Sequence, residues 1–440
     1  MTRPRQGYLS LPAKVARVAR LASLPAASLY YAGVGGLRRL RGEDPAAVQA
    51  DLRGRSAART KRILGRAKGG ALKAGQLLST VDALFPADPE RVWQRALATL
   101  PADNPPEPFE DLEPVLIQEL GPQWRDCFDS FDTTAVAAAS IGQVHRALWH
   151  DGRDVAVKIQ YPGVAETLRL DIGVVSVATR LSAMVAPGMA LPPLVAEMRD
   201  RLAEELDYLR EARVQRAFAA AYREDSSVVV PDVVHATRRV LVTEWLPGTP
   251  FTSLVDAPQP VRDQAGLAYM RFLISGPERA GWLHTDPHPG NFRVTVDGRL
   301  GVLDFGSALP LPQGMPGTFG RLITLLRLQD PRAIRDGLMA EGFVRAGSTV
   351  DAVRLRDYLS PFTEPSQHQI FAFTPEWLKG QFGRLGDPRN PDFAVALQLT
   401  MPPEHLFTHR VWLGIVGVLC QLRCTIPVRD EVRRWLPGLD

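Results

Sequence analysis

The feature that most constrains this chain is a polar loop followed by a short segment that contains an aspartate. The loop is His284-Thr-Asp286-Pro-His-Pro-Gly-Asn291, and the later segment is Asp304-Phe-Gly306. In kinase folds the aspartate of a D-x-x-x-x-N loop accepts the proton of the attacking hydroxyl, while the asparagine and the D-F-G aspartate hold magnesium ions. A D-F-G tripeptide alone also fits a simple turn. Together, the two segments predict Asp286 as the catalytic residue, with Asn291 and Asp304 as ligands of Mg²⁺.

A second part of such a site is predicted upstream. Val155-Ala-Val-Lys158 has the pattern of a buried strand, and Lys158 would contact the α- and β-phosphates of ATP. Asp151-Gly-Arg153 predicts the hairpin turn that leads into this strand. The kinase template G-x-G-x-x-G-x-V fits residues 137–144 with alanine at its first two glycine positions. Because alanine adds a Cβ and disfavours positive φ, we expect a stiffer phosphate loop. Its predicted nucleotide-binding residues are Ala137, Ala138, Ala139, Ser140, Gly142 and Val144.

An acidic stretch at 204–212 supplies a carboxylate for the nucleotide lysine. Kinases fix that lysine with a glutamate from the following helix, and we assign Glu211 to Lys158. If the whole stretch is helical, Asp207 and Glu211 lie on one face with Glu204 on the same side. A solvated acidic helix face beside neighbouring arginines is the alternative.

The predicted catalytic segments fall into a larger pattern. Lys73-Ala-Gly-Gln76 lies in a predicted helix, and Lys158-Ile-Gln-Tyr-Pro-Gly-Val164 continues the lysine strand. With the alanine-rich loop, Glu205-x-Asp207 and the His-x-Asp-x-His-Pro-Gly-Asn segment, the chain resembles the UbiB (AarF) family of atypical kinase-like proteins from about residue 65 to 310. The lysine strand is similar to the branch that contains the mitochondrial coenzyme Q kinase-like proteins.

The resemblance implies an α+β, bilobal protein-kinase-like fold with a helical N-terminal Lys-x-Gly-Gln extension over the place of a protein substrate. Lys73 would then join Asp286 and Lys158 as a catalytic residue and reach Glu205 and Asp207 in the nucleotide site. The resemblance also implies ATP and Mg²⁺ as cofactors, little protein phosphorylation in trans, and lipid-stimulated ATP hydrolysis in quinone biosynthesis or lipid homeostasis. The chain departs from the family pattern after Glu211-Ala212, and its tail lacks a clear membrane anchor.

Composition along the chain predicts four segments. A turn-rich stretch near 100–106 marks one boundary, and Glu244-Trp245-Leu246 is the expected hinge whose backbone binds adenine. The predicted segments are a basic N-terminal arm with helices at 1–64, the helical extension at 65–125, the smaller kinase-like lobe at 126–247, and a mostly helical larger lobe at 248–440.

Charge narrows the expected partners. The net charge is +4, from 52 basic and 48 acidic residues, and this does not demand nucleic-acid binding. The basic residues concentrate between Arg3 and Arg62, facing few acids, which suits either an anionic membrane surface or a solvated arm. The charge-free stretches 21–37 and 181–196 fall short of the roughly 20 apolar residues of a membrane span. Without a signal peptide either, we expect a cytoplasmic protein with peripheral membrane contact and with nucleotide and a lipid or quinone precursor as partners.

The three cysteines, Cys127, Cys420 and Cys424, predict neither a disulfide framework nor a zinc site. Cys420 and Cys424 lie one helical turn apart in an apolar run, so we expect both in the core.

Two other classes of protein share part of this pattern. A small-molecule phosphotransferase of the aminoglycoside-kinase type also carries His-x-Asp-x-x-x-x-Asn before an aspartate strand, although the Lys73 motif and the alanine-rich loop argue against it. A non-catalytic pseudokinase that binds nucleotide or lipid is the second alternative. It has no chemical need for Lys158, Asp286, Asn291 and Asp304 together.

Overall fold

The computed structural model describes residues 106–139, 141–170, 173, 204–344, 347–386, 395 and 398–439, together with scattered positions between 34 and 58. The chain divides into two compact units. The first unit comprises 1–210 and 233–245, and the second comprises 211–232 and 246–440. Helices and strands are numbered along the chain through both units.

The first unit is built on a five-stranded antiparallel sheet with the order β1-β2-β3-β6-β5. Helix α1 packs on this sheet, against β1, β3 and β6. Side-chain burial alternates along the central strand β3, as expected for a strand with one face in the core. Val155, Val157 and Ile159 are fully buried, and Lys158 is half-buried on the opposite face. The elements are α1 Phe109–Leu120, a 3₁₀ turn Trp124–Cys127, β1 Phe128–Ala138, β2 Gly142–Trp149, β3 Asp154–Gln160, β5 Val233–Ala236 and β6 Val240–Glu244.

The turn predicted between β2 and β3 is confirmed. Gly152 has φ +85°, a left-handed conformation that glycine adopts without steric cost. The carboxylate of Asp151 accepts a hydrogen bond from the backbone N–H of Arg153 at 3.1 Å. This turn therefore fixes the register that carries Lys158.

The acidic stretch at 204–212 is not one continuous helix, so the shared face expected for Glu204, Asp207 and Glu211 is wrong. Helix α2 spans Tyr208–Ala221, and Asp207 precedes it. The Asp207 carboxylate accepts a hydrogen bond from the Leu209 N–H at 3.1 Å, as a residue at a helix N-terminus does. Glu204 forms an ion pair with Arg210 at 2.8 Å.

The described residues of the second unit form three small sheets. A four-stranded sheet has the order β4-β10-β9-β7, and two further pairs are β8 with β11 and β12 with β13. Residues 228–229 fall within the segment 126–247 that was predicted as the smaller lobe, but they pair in parallel with strand 300–302, in the second unit. The strands are β4 Val228–Val229, β7 Thr249–Pro250, β8 Trp282–His284, β9 Phe292–Val294, β10 Leu300–Val302, β11 Ala308–Pro310, β12 Phe371–Ala372 and β13 Thr425–Ile426.

After residue 310 the described part of the second unit is mostly helical, and it includes the short strand pair of β12 and β13. Helix α3 carries the fully buried Tyr269 and Phe272 into a core that also contains Leu419 of α8. The helices are α3 Gln259–Ala280, α4 Thr318–Leu328, α5 Pro331–Ala340, α6 Ala352–Gln367, α7 Pro375–Gly386, α8 Leu406–Gln421 and α9 Val428–Trp435.

Cys420 and Cys424 belong to this core, as predicted. Burial raises the pKa of each thiol to about 12, so both are protonated at neutral pH. Within the described part of the chain, none of the helices has the length and apolar composition that crossing a bilayer requires.

Two arginines of the N-terminal arm have acidic partners. Arg38 contacts Glu43 and Asp51 at 2.6 Å each, and Arg55 contacts Asp51 at 2.9 Å. These two arginines are therefore paired with two of the acidic residues of the arm. Hydrogen bonding to Arg38 lowers the pKa of both carboxyls, which keeps them ionised near neutral pH.

Candidate functional site

The two segments predicted for catalysis lie side by side in the second unit. Strand β8 leads into the loop that holds Asp286, and β11, which pairs with β8, follows the D-F-G segment. Thr285 and Ser307 connect the two segments, because the Thr285 N–H donates to the Ser307 carbonyl at 3.0 Å and their hydroxyls lie 2.8 Å apart. The Leu303 N–H also donates to the Asn291 carbonyl at 2.9 Å. Backbone pairing therefore brings together residues that are distant in sequence.

His284 fixes the backbone of Asp304. Its Nε2 lies 2.7 Å from the Asp304 carbonyl oxygen and therefore donates the hydrogen bond. The imidazole is 1% exposed, packed among Phe272, Phe292 and Phe305. Burial lowers its pKa, so the ring is neutral at neutral pH. The sequence pattern included His284 but gave it no such supporting role.

Asp286 and Asn291 are in direct contact. The Asn291 side-chain amide donates to an Asp286 carboxylate oxygen at 3.0 Å and to the Asp286 carbonyl at 3.2 Å. Neither contact uses the amide oxygen of Asn291, and oxygen is the ligand atom that Mg²⁺ prefers. The Asp286 side chain is 23% exposed, so solutes can reach it. This geometry fits the predicted roles of both residues.

Asp304 and Glu211 approach the same glycine. A methyl group placed on Gly306 would lie 3.3 Å from an Asp304 carboxylate oxygen and 3.4 Å from a Glu211 carboxylate oxygen. The Gly306 N–H donates to the Asp304 carboxylate at 2.9 Å. Both carboxylates therefore lie beside the D-F-G turn. The pairing of Glu211 with Lys158 stays a prediction.

In the first unit, Lys158 faces the ring of Tyr208. Its ammonium lies 5.1 Å from the ring centroid, a cation–π distance. Lys158 pairs in register with Val144 of β2, and Val144 pairs with Ala137 of β1 on its other side. The strand pairing thus places part of the expected phosphate loop beside the nucleotide lysine.

Much of the alanine-rich segment is strand. Ala137 and Ala138 end β1 and are exposed, and the Ala139 N–H donates to the Gly142 carbonyl at 2.7 Å. Gly142 is required for packing, because a Cβ there would lie 2.3 Å from the Ile159 carbonyl oxygen. Ser140 and Lys73 lie outside the described residues.

The other predicted nucleotide-site residues lie at the start of α2 and at the end of β6. Glu205 is buried at 8% exposure, near the Asp207 that precedes α2. Glu244 is the last residue of β6, and the Trp245 N–H donates to the Asp154 carbonyl at 2.8 Å. Their contacts with nucleotide stay predictions.

Helix α8 supplies two residues that the sequence analysis missed. A guanidinium nitrogen of Arg410 lies 3.6 Å from the second carboxylate oxygen of Asp286. Gly414 packs against the loop, since a Cβ there would lie 2.2 Å from the Pro287 ring. The signal in the sequence was a single basic residue, Arg410, followed by a long apolar run.

Replacing Ala139 by glycine is expected to raise affinity for ATP relative to ADP and to permit autophosphorylation in cis. The methyl group restricts how closely the backbone can fold over phosphates, and glycine removes that restriction. Thermal shift titrations with both nucleotides measure the preference. Ala135→Gly, in β1 and just before the template, is the matched control. An unchanged preference with a lowered melting temperature would mean that Ala139 has only a structural role after β1, where glycine costs about 0.5–1 kcal/mol.

The lysine-bearing antiparallel sheet and the aspartate loop beside a D-F-G segment define a kinase-like protein. The ABC1 atypical kinase-like domain matches residues 100–336. The chain belongs to this family, the UbiB family, and the predicted family and fold class are confirmed.

Curated relatives and a solved structure support the same family assignment. The atypical kinase COQ8 of Saccharomyces cerevisiae, a mitochondrial protein, is 30% identical over 92% of this chain and 81% of its own length. The mitochondrial atypical kinase coq-8 of Caenorhabditis elegans is 33% identical over 84% of this chain, and this chain spans about half, 49%, of the length of that relative. The solved Rv3197–erythromycin complex of Mycobacterium tuberculosis has a TM-score of 0.69 and 36% identity, covering 90% of this chain and 99% of that chain.

Proposed function

We propose that this protein is a Mg²⁺-dependent atypical kinase or ATPase that supports quinone or other isoprenoid-lipid biosynthesis, or lipid homeostasis. It hydrolyses ATP or phosphorylates a small or lipid-linked acceptor. The observation that carries the proposal is the contact between Asp286 and Asn291, which orients the carboxylate and leaves the amide oxygen for a metal. The quinone setting rests on the family resemblance.

Each residue has one role in the proposed reaction. Asp286 orients the attacking water or hydroxyl and accepts its proton, and Lys158 holds the α- and β-phosphates. Asn291 and Asp304 would hold Mg²⁺, which supplies charge neutralisation at the phosphate oxygens when bound. Glu211 would fix the lysine.

The acceptor is proposed to be something other than a protein. This part of the proposal rests on the Lys73 segment, which in the family resemblance covers the place of a protein substrate. Glu205 and Asp207 are its proposed partners. A peripheral site on anionic lipid is also proposed for the N-terminal arm, because basic residues are concentrated in its sequence.

ATP turnover by the purified chain tests the proposal. We expect Mg²⁺-dependent release of phosphate that rises when anionic liposomes or quinone-like phenols are added, and less stimulation by neutral liposomes. Chelation of magnesium by EDTA is the control. Absence of Mg²⁺-dependent turnover under all of these conditions would refute the enzymatic proposal and leave a nucleotide- or lipid-binding scaffold.

A second candidate function is the binding of a macrolide. It is supported by the likeness to the solved Rv3197–erythromycin complex, at 36% identity over 90% of this chain. Calorimetric titration with erythromycin, with and without ATP and Mg²⁺, tests it. Saturable heat would support a macrolide site, and flat titrations would remove the candidate.

A further inference from the structure

We propose that Arg410 is a positioning residue that holds the Asp286 carboxylate in the correct orientation for phosphoryl transfer. The inference rests on the proposed function and adds a residue outside the segment that matches the family domain. Asn291 engages one carboxylate oxygen at 3.0 Å, and Arg410 faces the other at 3.6 Å. With a partner on each oxygen, the plane of the carboxylate is defined before substrate binds.

The packing of α8 against the loop that holds Asp286 fixes the position of Arg410. Gly414 lies one turn after Arg410 on the same helix face, and it lets the helix backbone approach Pro287 closely. On the other side of the loop, the Tyr269 hydroxyl donates to the Pro287 carbonyl at 2.5 Å. The residue that follows Asp286 is therefore held between α3 and α8.

Arg410 differs from the arginines that stabilise this unit. Arg279 donates to Asp225 at 2.6 Å and to a backbone carbonyl at 3.0 Å, and Arg271 is paired with Glu431 at 2.5 Å. The Arg410 side chain is 14% exposed, and its Nε and Nη1 are buried without a hydrogen-bond partner. Burial of unpaired donors is unfavourable, so the fold gains little from this arginine. We therefore infer that the positive charge of Arg410 next to Asp286 serves the reaction rather than the stability of the fold.

The test compares Arg410→Met and Arg410→Lys with Arg271→Met, which removes a half-buried ion pair of the same unit away from the loop. We expect Arg410→Met to lower kcat on the order of 100-fold, the lower end of what a positioned base contributes, with nucleotide affinity unchanged. Arg410→Lys should recover part of the rate, because it restores a positive charge beside Asp286. Arg271→Met should change only the melting temperature.

A second set of variants separates positioning from structural damage. In an Asp286→Asn background, Arg410→Met should cause no further loss of rate, because residues that act as a unit are non-additive. An undiminished loss in that background, or an unchanged kcat in Arg410→Met, overturns the inference while the proposed function stands. A wild-type chain without ATP turnover overturns both.

Discussion

Asp304→Asn is expected to abolish Mg²⁺-dependent nucleotide binding. The substitution removes the negative charge that a magnesium ion needs beside the phosphates, while the side chain keeps its shape. The fold should survive, because His284 bonds to the backbone carbonyl of Asp304 rather than to its side chain. Titration of a fluorescent ATP analogue, with magnesium and with EDTA, measures the effect.

The matched control for this substitution is Asp297→Asn. Asp297 lies in a turn of the same unit and pairs with Arg299 at 2.6 Å. We expect its nucleotide affinity to equal that of the wild type. If Asp304→Asn retained wild-type magnesium-dependent affinity, the assignment of Asp304 as a metal ligand would be wrong.

Asp286→Asn is expected to bind nucleotide normally and to lose turnover. An amide oxygen can still accept the hydrogen bond from Asn291, so the loop should keep its shape. An amide cannot accept the proton of the attacking group, and removal of a positioned base costs on the order of 100-fold to 10,000-fold in rate. Phosphate release at saturating ATP, together with the dissociation constant, separates the two effects.

Two results would contradict that role. Turnover at the wild-type rate would exclude Asp286 as the proton acceptor. Loss of binding equal to that of Asp304→Asn would mean that Asp286 acts through the metal or through the fold instead.

Local patterns in the sequence were sufficient for much of the site. The spacing of Asp286 and Asn291, and the alternation around Lys158, each reflect short-range geometry that a sequence displays directly. The turn at Gly152 was predictable for the same reason. These predictions needed no knowledge of how distant segments pack.

Features that depend on competition between two local conformations, or on contacts between distant segments, were not predictable from the sequence. An aspartate can continue a helix or precede its first turn, and the hydrogen bond from Leu209 decides for the second at Asp207. The strand at Val228–Val229 joins β10 through a parallel pairing that no local pattern encodes. Arg410 reaches Asp286 from a helix far along the chain, so its spacing to the loop carried no signal.

The close approach at Gly142 divides the hairpin into parts with different tolerance to substitution. A side chain at this position collides with the backbone of the neighbouring strand, whereas Ala137 and Ala138 are exposed. In a saturation mutagenesis library selected for soluble expression, position 142 should stay almost invariant while 137 and 138 accept many residues. Substitutions intended to change the nucleotide preference are therefore tolerated at Ala137 and Ala138, at the end of β1, and not at Gly142, where β2 begins.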